Sequence, residues 1–301
     1  MKSIEKISMI GLGAIGCIYG SKLQDLDKNN FKVIVGDKRA AKYRENGFVV
    51  NGKQYNFNYI NPKEKCEPAD FVIVSVKANQ LEEAIKDIKN HVGENTIILS
   101  LLNGITSEEI IGKAYGMDKI IYALCIGDAN RTDNSVEFSN LCHIQFGEKV
   151  NEEYSEKVMV VKELFDKAKI PYKIPPDMMH AMWWKFMINV GINQASAVIR
   201  GTYGTFQRKK HAKELMEAAM WEVVWVSEKV GVNLNGSDIE QWYKLLDTVN
   251  PDSRTSMCQD ILFGRKTEVD IFAGTVCELG EKYGIETPVN KTLYNIIKAI
   301  E

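Results

Sequence analysis

The sequence has neither of the cysteine arrangements that would suggest a metal centre or a disulfide framework. Its six cysteines are scattered along 301 residues, and no two of them form a Cys-x-x-Cys pair. Its four histidines also lack the spacing of metal ligands, so no metal is expected. Reduced, mostly buried thiols in a cytoplasmic protein are the expectation that follows.

Long apolar runs and a strong charge imbalance are also missing. No stretch approaches the ~18 apolar residues that a membrane span needs, and glycines interrupt the apolar start, which argues against a secretory signal. The formal net charge is only -2, so neither nucleic acid nor an anionic membrane is expected as a partner. Hydrophobic residues make up 45% of the chain, enough for a sizeable core, and its length favours two domains.

The most informative stretch is a Gly-x-Gly-x-x-Gly motif directly after the strand-like segment 7–10. In such a turn Gly11 allows a tight turn off the strand, Gly13 lets a pyrophosphate approach the backbone, and Gly16 lets the next helix pack on the sheet. The alternative is an ordinary strand–turn–helix unit without a ligand, but a second predicted strand ending in an acidic residue favours a dinucleotide site. The predicted cofactor-binding turn comprises Gly11, Leu12, Gly13, Ala14, Ile15 and Gly16.

The end of the second predicted strand, 31–36, bears on which dinucleotide binds. The carboxylate of Asp37 would accept a hydrogen bond from a ribose 2′-hydroxyl and repel a 2′-phosphate, which favours NAD(H). Lys38 and Arg39 follow directly and could instead bind that phosphate, which favours NADP(H), or be solvated surface charges. These residues leave both cofactors open.

Strands and helices alternate through the first half of the chain. Apolar runs at 69–76, 96–101 and 120–125 predict strands buried in a parallel sheet, and the pair Asn51-Gly52 predicts a short hairpin. Lys77 and Asn103 follow two of these strands, at the edge where doubly wound sheets bind ligands. Each could alternatively cap or solvate a loop, but two polar residues at one edge favour a functional role.

A proline-rich segment, 171–176, marks a domain boundary, because its three prolines cannot continue a helix or a central strand. Helical periodicity replaces the alternating pattern after it. The sequence therefore predicts an α/β fold, with an N-terminal doubly wound parallel-sheet Rossmann domain over 1–174 and an all-α C-terminal domain over 175–301.

A polar stripe runs along the mostly apolar predicted helix 178–195. Lys185, Asn189 and Asn193 are spaced i, i+4 and i+8, which places them on one face, one turn apart. An unpaired buried ammonium is costly, so the lysine either forms a structural ion pair or faces a cleft where it donates a proton while the asparagines hold substrate. A nicotinamide bound by the first domain favours the second interpretation, because hydride transfer to a ketone leaves an alkoxide that needs a proton.

The segment 183–193 resembles the lysine helix of the ketopantoate reductases (2-dehydropantoate 2-reductases). Segments 255–261, 264–270 and 284–290 are also similar to that family, and with the glycine motif, 76–78 and 102–104 the resemblance covers nearly the whole chain in order. It implies a Rossmann domain followed by a helical domain, with the active site between them and NADP(H) as cofactor. The implied reaction is the NAD(P)H-dependent reduction of 2-dehydropantoate to pantoate, in pantothenate and coenzyme A biosynthesis.

The resemblance also implies a role for each matching residue. Lys185 would be the general acid, and Glu268 the catalytic carboxylate, which would keep that amine protonated and also lie at the cofactor. Asn103 would lie near both nicotinamide and substrate, and Lys77 near the cofactor and the cleft. The remaining matches would hold or support the substrate: Asn189, Asn193, Ser256 and Asp260.

Two departures from the family pattern stand out. The family commonly has an arginine that binds the 2′-phosphate, but this chain has Gly36-Asp37 there, so NAD(H) is also possible. The family usually has proline after the asparagine that corresponds to Asn193, but this chain has Gln194. The alternatives to ketopantoate reduction are reduction of other branched 2-keto acids and dinucleotide binding without turnover in a regulatory protein. The expected partner is a small 2-keto acid, and the chain is expected to be a monomer or homodimer.

Overall fold

The computed structural model describes residues 2–127, 129–138 and 142–301, with the backbone alone at Asn130. The chain divides into two compact units, Met1–Met178 and Met179–Glu301. The boundary expected after residue 174 lies close to this division and stays a prediction.

All described strands lie in the first unit. In chain order they are β1 (Ile7–Ile10), β2 (Phe31–Ile34), β3 (Phe48–Val50), β4 (Lys53–Tyr55), β5 (Tyr59–Ile60), β6 (Phe71–Val74), β7 (Ile97–Ser100), β8 (Ile120–Ile126), β9 (Ala129–Thr132), β10 (Ser135–Phe138), β11 (His143–Gly147) and β12 (Tyr172–Lys173). The helices of this unit are α1 (Ala14–Leu26), α2 (Asp37–Asn46), α3 (Leu81–Asp87), α4 (Ser107–Tyr115) and α5 (Glu156–Lys167). Short 3-10 turns lie at Ala78–Gln80, Lys89–His91 and Met117–Lys119.

Within the described residues, the main sheet has eight strands in the order β12-β11-β8-β7-β6-β1-β2-β5. Its central strands β1, β6 and β7 are parallel and wholly buried, as their continuous apolar runs predict. Among the strand pairs of this sheet that the structure describes, only that of β8 with β11 is antiparallel. The chain runs outward from β1 to β2 and β5 and then returns to β6 on the other side of β1. This reversal is the place where doubly wound sheets bind ligands.

A second sheet, ordered β4-β3-β10-β9, packs against α1. Its β3–β4 pair is the predicted hairpin, with Phe48 opposite Tyr55. Asn51 and Gly52 form the turn with positive φ values of 45° and 79°, as a two-residue hairpin of this kind requires. The partner hairpin, β9–β10, turns at Asp133-Asn134, where Asp133 has φ 52°; this pair lacks the glycine of the first turn.

The second unit is entirely helical, which confirms the predicted fold class. Its helices are α6 (Met178–Ile188), α7 (Gln194–Ile199), α8 (Tyr203–Arg208), α9 (Lys210–Lys229), α10 (Gly236–Leu246), α11 (Ser256–Leu262), α12 (Ala273–Tyr283) and α13 (Pro288–Ile300), with a 3-10 turn at Val269–Ile271. In the described part of the chain, none of the helices is both long enough and apolar enough to cross a bilayer.

The prediction of one helix over 178–195 was wrong in one respect. A π-helical turn, Asn189–Asn193, separates α6 from α7. A Cβ on Gly191 would lie 2.5 Å from the side chain of Met220 and 3.0 Å from the carbonyl oxygen of Met216. Glycine therefore lets α9 pack directly against this turn.

Candidate active site

The glycine turn is fixed by Ser75, the residue that follows the neighbouring strand β6. Gly11 has φ +97°, and a Cβ there would lie 2.5 Å from the carbonyl oxygen of Ser75, so glycine is required for two independent reasons. The Ser75 hydroxyl donates to the carbonyl of Gly11 at 2.7 Å, and a Cβ on Gly16 would lie 2.7 Å from that hydroxyl oxygen. Ser75, which the motif alone does not identify, fixes the turn against β6.

The start of α1 has the features of an anion-binding site. Gly13 precedes the helix in an extended conformation, and among the described residues a Cβ there would meet a single atom within 4 Å, the backbone oxygen of Ser75 at 4.0 Å. The first helical hydrogen bond runs from Cys17 N to Gly13 O at 3.0 Å, so the amides of Ala14 and Ile15 come before the hydrogen-bonded ladder. The first turn carries no acidic residue. These features fit the pyrophosphate of a dinucleotide.

A cation that no motif identified lies at the same turn. The side chain of Leu12 is buried in the core, while its carbonyl accepts a hydrogen bond from Nη1 of Arg131. Arg131, on β9, also donates from Nε to the carbonyl of Asp133 at 2.8 Å, and its guanidinium lies 5.4 Å from the ring centroid of Phe48. The second sheet thus brings a positive charge to the turn.

The start of α2 presents the residues expected to select the cofactor. The helix begins at Asp37, and Asp37, Lys38 and Arg39 are all exposed. Since β2 is parallel to β1 and pairs with it directly, these residues lie at the same sheet edge as the glycine turn. A carboxylate in the first turn also interacts favourably with the helix dipole, so Asp37 has a local structural role as well.

Lys77 and Asn103 follow β6 and β7, which are parallel neighbours paired at Val74 and Ser100. Lys77 is exposed and Asn103 is half-buried. The loop that carries Asn103 is anchored by a buried hydroxyl pair, Ser100 Oγ and Ser107 Oγ, 2.8 Å apart. The first unit therefore brings the glycine turn, the start of α2, Lys77 and Asn103 to one edge of the sheet.

In the second unit, the polar stripe runs from the end of α6 into the π-helical turn. Lys185 and Asn189 are half-buried, whereas residues 186–188 between them are buried. Asn193 is 6% exposed, and its Nδ2 donates to Oδ1 of Asn189 at 3.3 Å. The two asparagines therefore share a face, as predicted from their spacing. They lie within the π-helical turn, a local structure often found at functional sites.

Ser256 and Asp260 lie on α11, which packs against α7 and the π-helical turn. Thr255 begins this helix, its hydroxyl accepting from Cys258 N at 3.2 Å, which leaves Ser256 exposed in the first turn. Asp260 is buried and accepts from Nε of Arg265 at 2.7 Å. The carboxylate thus holds the loop that leads to Glu268.

Glu268 is half-buried between two buried neighbours, Thr267 and Val269. Both the backbone N–H and the hydroxyl of Thr267 donate to Oε1 of Glu301, the N–H at 3.0 Å, which fixes this segment to the end of α13. The expected ionic contact of Glu268 with Lys185 stays a prediction. Within the second unit, Asn189 and Asn193 therefore lie on a turn that packs against α11.

Comparisons with known proteins bear on the identity of these two sets of residues. The family description "Ketopantoate reductase PanE/ApbA" matches residues 7–151, and "Ketopantoate reductase PanE/ApbA C terminal" matches residues 177–301. The 2-dehydropantoate 2-reductase of Streptococcus pyogenes serotype M3 is 27% identical, over 98% of this chain and 97% of its own length. The enzyme of the same name from Aquifex aeolicus is 28% identical, over 99% of this chain and 97% of its own length.

A solved structure of D-mandelate dehydrogenase with NADH and anilino(oxo)acetate shares the fold. It has a TM-score of 0.88 and 22% identity, over 98% of this chain and 97% of that one. Because the two family descriptions match both units in the expected order, the chain belongs to the ketopantoate reductase family of NAD(P)-dependent oxidoreductases.

Proposed function

We propose that this chain is a 2-dehydropantoate 2-reductase, which reduces 2-dehydropantoate to pantoate with NAD(P)H and serves pantothenate and coenzyme A biosynthesis. The main support is the combination of a glycine turn that fits a pyrophosphate with a half-buried lysine followed by two hydrogen-bonded asparagines. Full-length similarity to relatives of that name supports the same reaction.

The first unit holds the cofactor in this proposal. The amides of Ala14 and Ile15 bind the pyrophosphate, because they lie ahead of the helical ladder and at the positive end of α1. Lys77 and Asn103 orient the rest of the dinucleotide from the ends of β6 and β7. When bound, the reduced nicotinamide supplies the hydride for the keto carbon.

The second unit supplies the proton and holds the substrate. Lys185 donates a proton to the keto oxygen as negative charge develops there, and Glu268 favours the protonated form of that amine. Asn189, Asn193 and Ser256 offer amide and hydroxyl groups to the carboxylate and hydroxyl groups of the substrate. Asp260 keeps the Glu268 loop in place through its ion pair.

The choice between the two reduced dinucleotides depends on opposing charges at one sheet edge. Asp37 favours NADH, because its carboxylate repels a 2′-phosphate, whereas Lys38 and Arg39 favour NADPH. Family membership favours NADPH. Initial rates with NADH and NADPH measured side by side decide between them.

The test is a rate comparison across a small panel of 2-keto acids, including 2-dehydropantoate and 2-ketoisocaproate. We expect the highest kcat/KM with 2-dehydropantoate; a higher value with another branched 2-keto acid would reassign the substrate. No NAD(P)H oxidation with any of them would instead support a dinucleotide-binding regulatory protein.

Replacing Lys185 with alanine tests the mechanism itself. We expect kcat to fall by about two to four orders of magnitude, the usual contribution of a positioned acid, while dinucleotide binding measured by fluorescence titration is retained. Lys244→Ala, at an exposed position on α10, is the matched control and should keep full activity. Near-normal turnover of the Lys185 variant would rule out its role as the proton donor.

A further inference from the structure

We infer that Gln194 is a positioning residue for the two asparagines that hold the substrate, an inference that rests on the proposed function. Gln194 is the first residue of α7 and directly follows the π-helical turn that contains Asn189 and Asn193. Its side chain is completely buried, with 0% exposure. We do not expect it to contact the substrate; it positions Asn189 and Asn193 by holding the π-helical turn in place.

The side-chain amide of Gln194 joins three separate segments. Its Nε2 donates to the carbonyl of Val190 at 2.7 Å and to Oδ1 of Asn290 at 3.0 Å. Its Oε1 accepts from the backbone N–H of Ala273 at 3.0 Å. One buried amide therefore ties the π-helical turn to the first residue of α12 and to the first turn of α13, and each of these bonds is made away from competing water.

A buried carboxylate fixes the direction of these hydrogen bonds. Glu222, 1% exposed, accepts from the backbone N–H groups of Val289 and Asn290 at 2.8 and 2.9 Å, at the start of α13. It also accepts from Nδ2 of Asn290 at 2.7 Å. Because a carboxylate accepts, Asn290 must turn its amide nitrogen to Glu222 and its oxygen to Gln194. Gln194 must then donate to Asn290 and accept from Ala273.

In the π-helical turn, the side-chain amide of Gln194 makes a hydrogen bond that its backbone does not make. The backbone N–H of Gln194 bonds to the carbonyl of Gly191, so its side chain, rather than its backbone, donates to Val190. Proline, the residue that the family resemblance leads one to expect at this position, has neither an N–H nor an amide and could make none of these contacts. Gln194 thereby fixes the C-terminal end of the turn. The opposite face of the turn is already fixed where Gly191 meets Met220.

The position of Asn193 depends directly on this anchor. Asn193 precedes Gln194 and bonds to Asn189 across the turn, so a shift of the turn moves both side chains together. A displacement of about 1 Å at a substrate-holding group can cost on the order of 100-fold in rate. Loss of the anchor should therefore lower kcat/KM for the 2-keto acid, with a higher KM because both asparagines hold the substrate, while leaving dinucleotide binding unchanged.

The test compares Gln194→Met, which keeps the length of the side chain but removes all three hydrogen bonds, with Gln207→Met. Gln207 is the matched control, because its Nε2 also makes two side-chain bonds to carbonyls of the helical unit, those of Leu246 and Val249, both at 2.8 Å. We expect Gln194→Met to raise KM for the 2-keto acid about tenfold or more, as loss of about 1.4 kcal/mol of binding would do, with KM for NAD(P)H unchanged. The control should change neither constant.

Backbone amide hydrogen exchange over residues 189–194 provides a readout besides activity. Exchange there should accelerate in Gln194→Met and stay unchanged in Gln207→Met. If Gln194→Met does not fold, the milder Gln194→Asn, one methylene too short to span all three partners, is measured in the same way.

An active Gln194 variant with an unchanged KM for the 2-keto acid, or with unchanged exchange over 189–194, would overturn the inference and leave the proposed function standing. Failure of the unmodified chain to reduce any 2-keto acid would overturn the proposed function, and the inference with it.

Discussion

Acid should destabilise the first unit through a buried histidine that contacts β1. His91 is 1% exposed, and its Nδ1 lies 2.9 Å from the hydroxyl oxygen of Ser8 on β1. Burial, with a smaller contribution from the charge of Lys32, lowers the pKa of His91 from 6.5 to about 4. The folded state therefore holds this imidazole neutral at pH values where the unfolded chain would protonate it.

The magnitude follows from proton linkage. A folded-state pKa below the unfolded value means that the unfolded chain binds more protons, so the free energy of unfolding falls as the pH drops from 6.5 towards 4. Between about pH 7.5 and about pH 5 the loss should be about 2 kcal/mol. It should reach about 3.4 kcal/mol well below the folded-state pKa.

The assay is urea unfolding followed by far-UV circular dichroism at both pH values. All five tryptophans lie beyond residue 182, so their fluorescence reports on the helical unit and provides an internal comparison. His91→Gln cannot protonate and should lose much less stability on acidification than the unmodified chain. His211→Gln, at a histidine whose side chain is 92% exposed, is the control and should behave like the unmodified chain. Equal acid sensitivity of His91→Gln and the unmodified chain would refute the reasoning.

Two further predictions concern the glycine turn. Gly11→Ala should abolish dinucleotide binding in fluorescence titration, because the residue has φ +97° and its new methyl group would collide with Ser75. Gly52→Ala, also at positive φ but with no described atom within 4 Å of a Cβ, is the control. Tight binding by the Gly11 variant would contradict the role of the turn. Arg131→Met should raise the Kd of both NADH and NADPH about tenfold. The expected reason is the loss of a charge-assisted contact between the guanidinium and the pyrophosphate, and such a contact contributes roughly 1.5–3 kcal/mol. An effect on NADPH alone would instead place Arg131 at the 2′-phosphate, and no effect on either would limit it to a structural role.

The sequence predicted those features that depend on local chemistry. The glycine turn, the buried parallel strands and the Asn51-Gly52 hairpin all require particular residues at particular positions, and all three are present. The ends of elements were less accurate: the strand predicted over 31–36 ends at Ile34.

The features that sequence patterns missed depend on contacts between distant segments. The spacing of Asn189 and Asn193 suits both an α-helix and a π-helical turn, so periodicity could not reveal the turn. Ser75 and Arg131 act on the glycine turn across 64 and 119 residues of sequence, and Gln194 reaches Asn290 across 96. No local pattern distinguishes such a residue from any other serine, arginine or glutamine.

The open space around Gly36 bears on how cofactor preference can change over time in this protein. Gly36 has ordinary backbone angles, φ -66° and ψ 151°, and a Cβ there would meet no atom of the described residues within 4 Å. A larger or charged side chain can therefore be gained at this position without disturbing the interior, unlike at Gly11. Under the proposed function, selectivity between the two dinucleotides can therefore be re-engineered at the exposed start of α2, whereas Gly11 of the glycine turn stays under strict steric constraint.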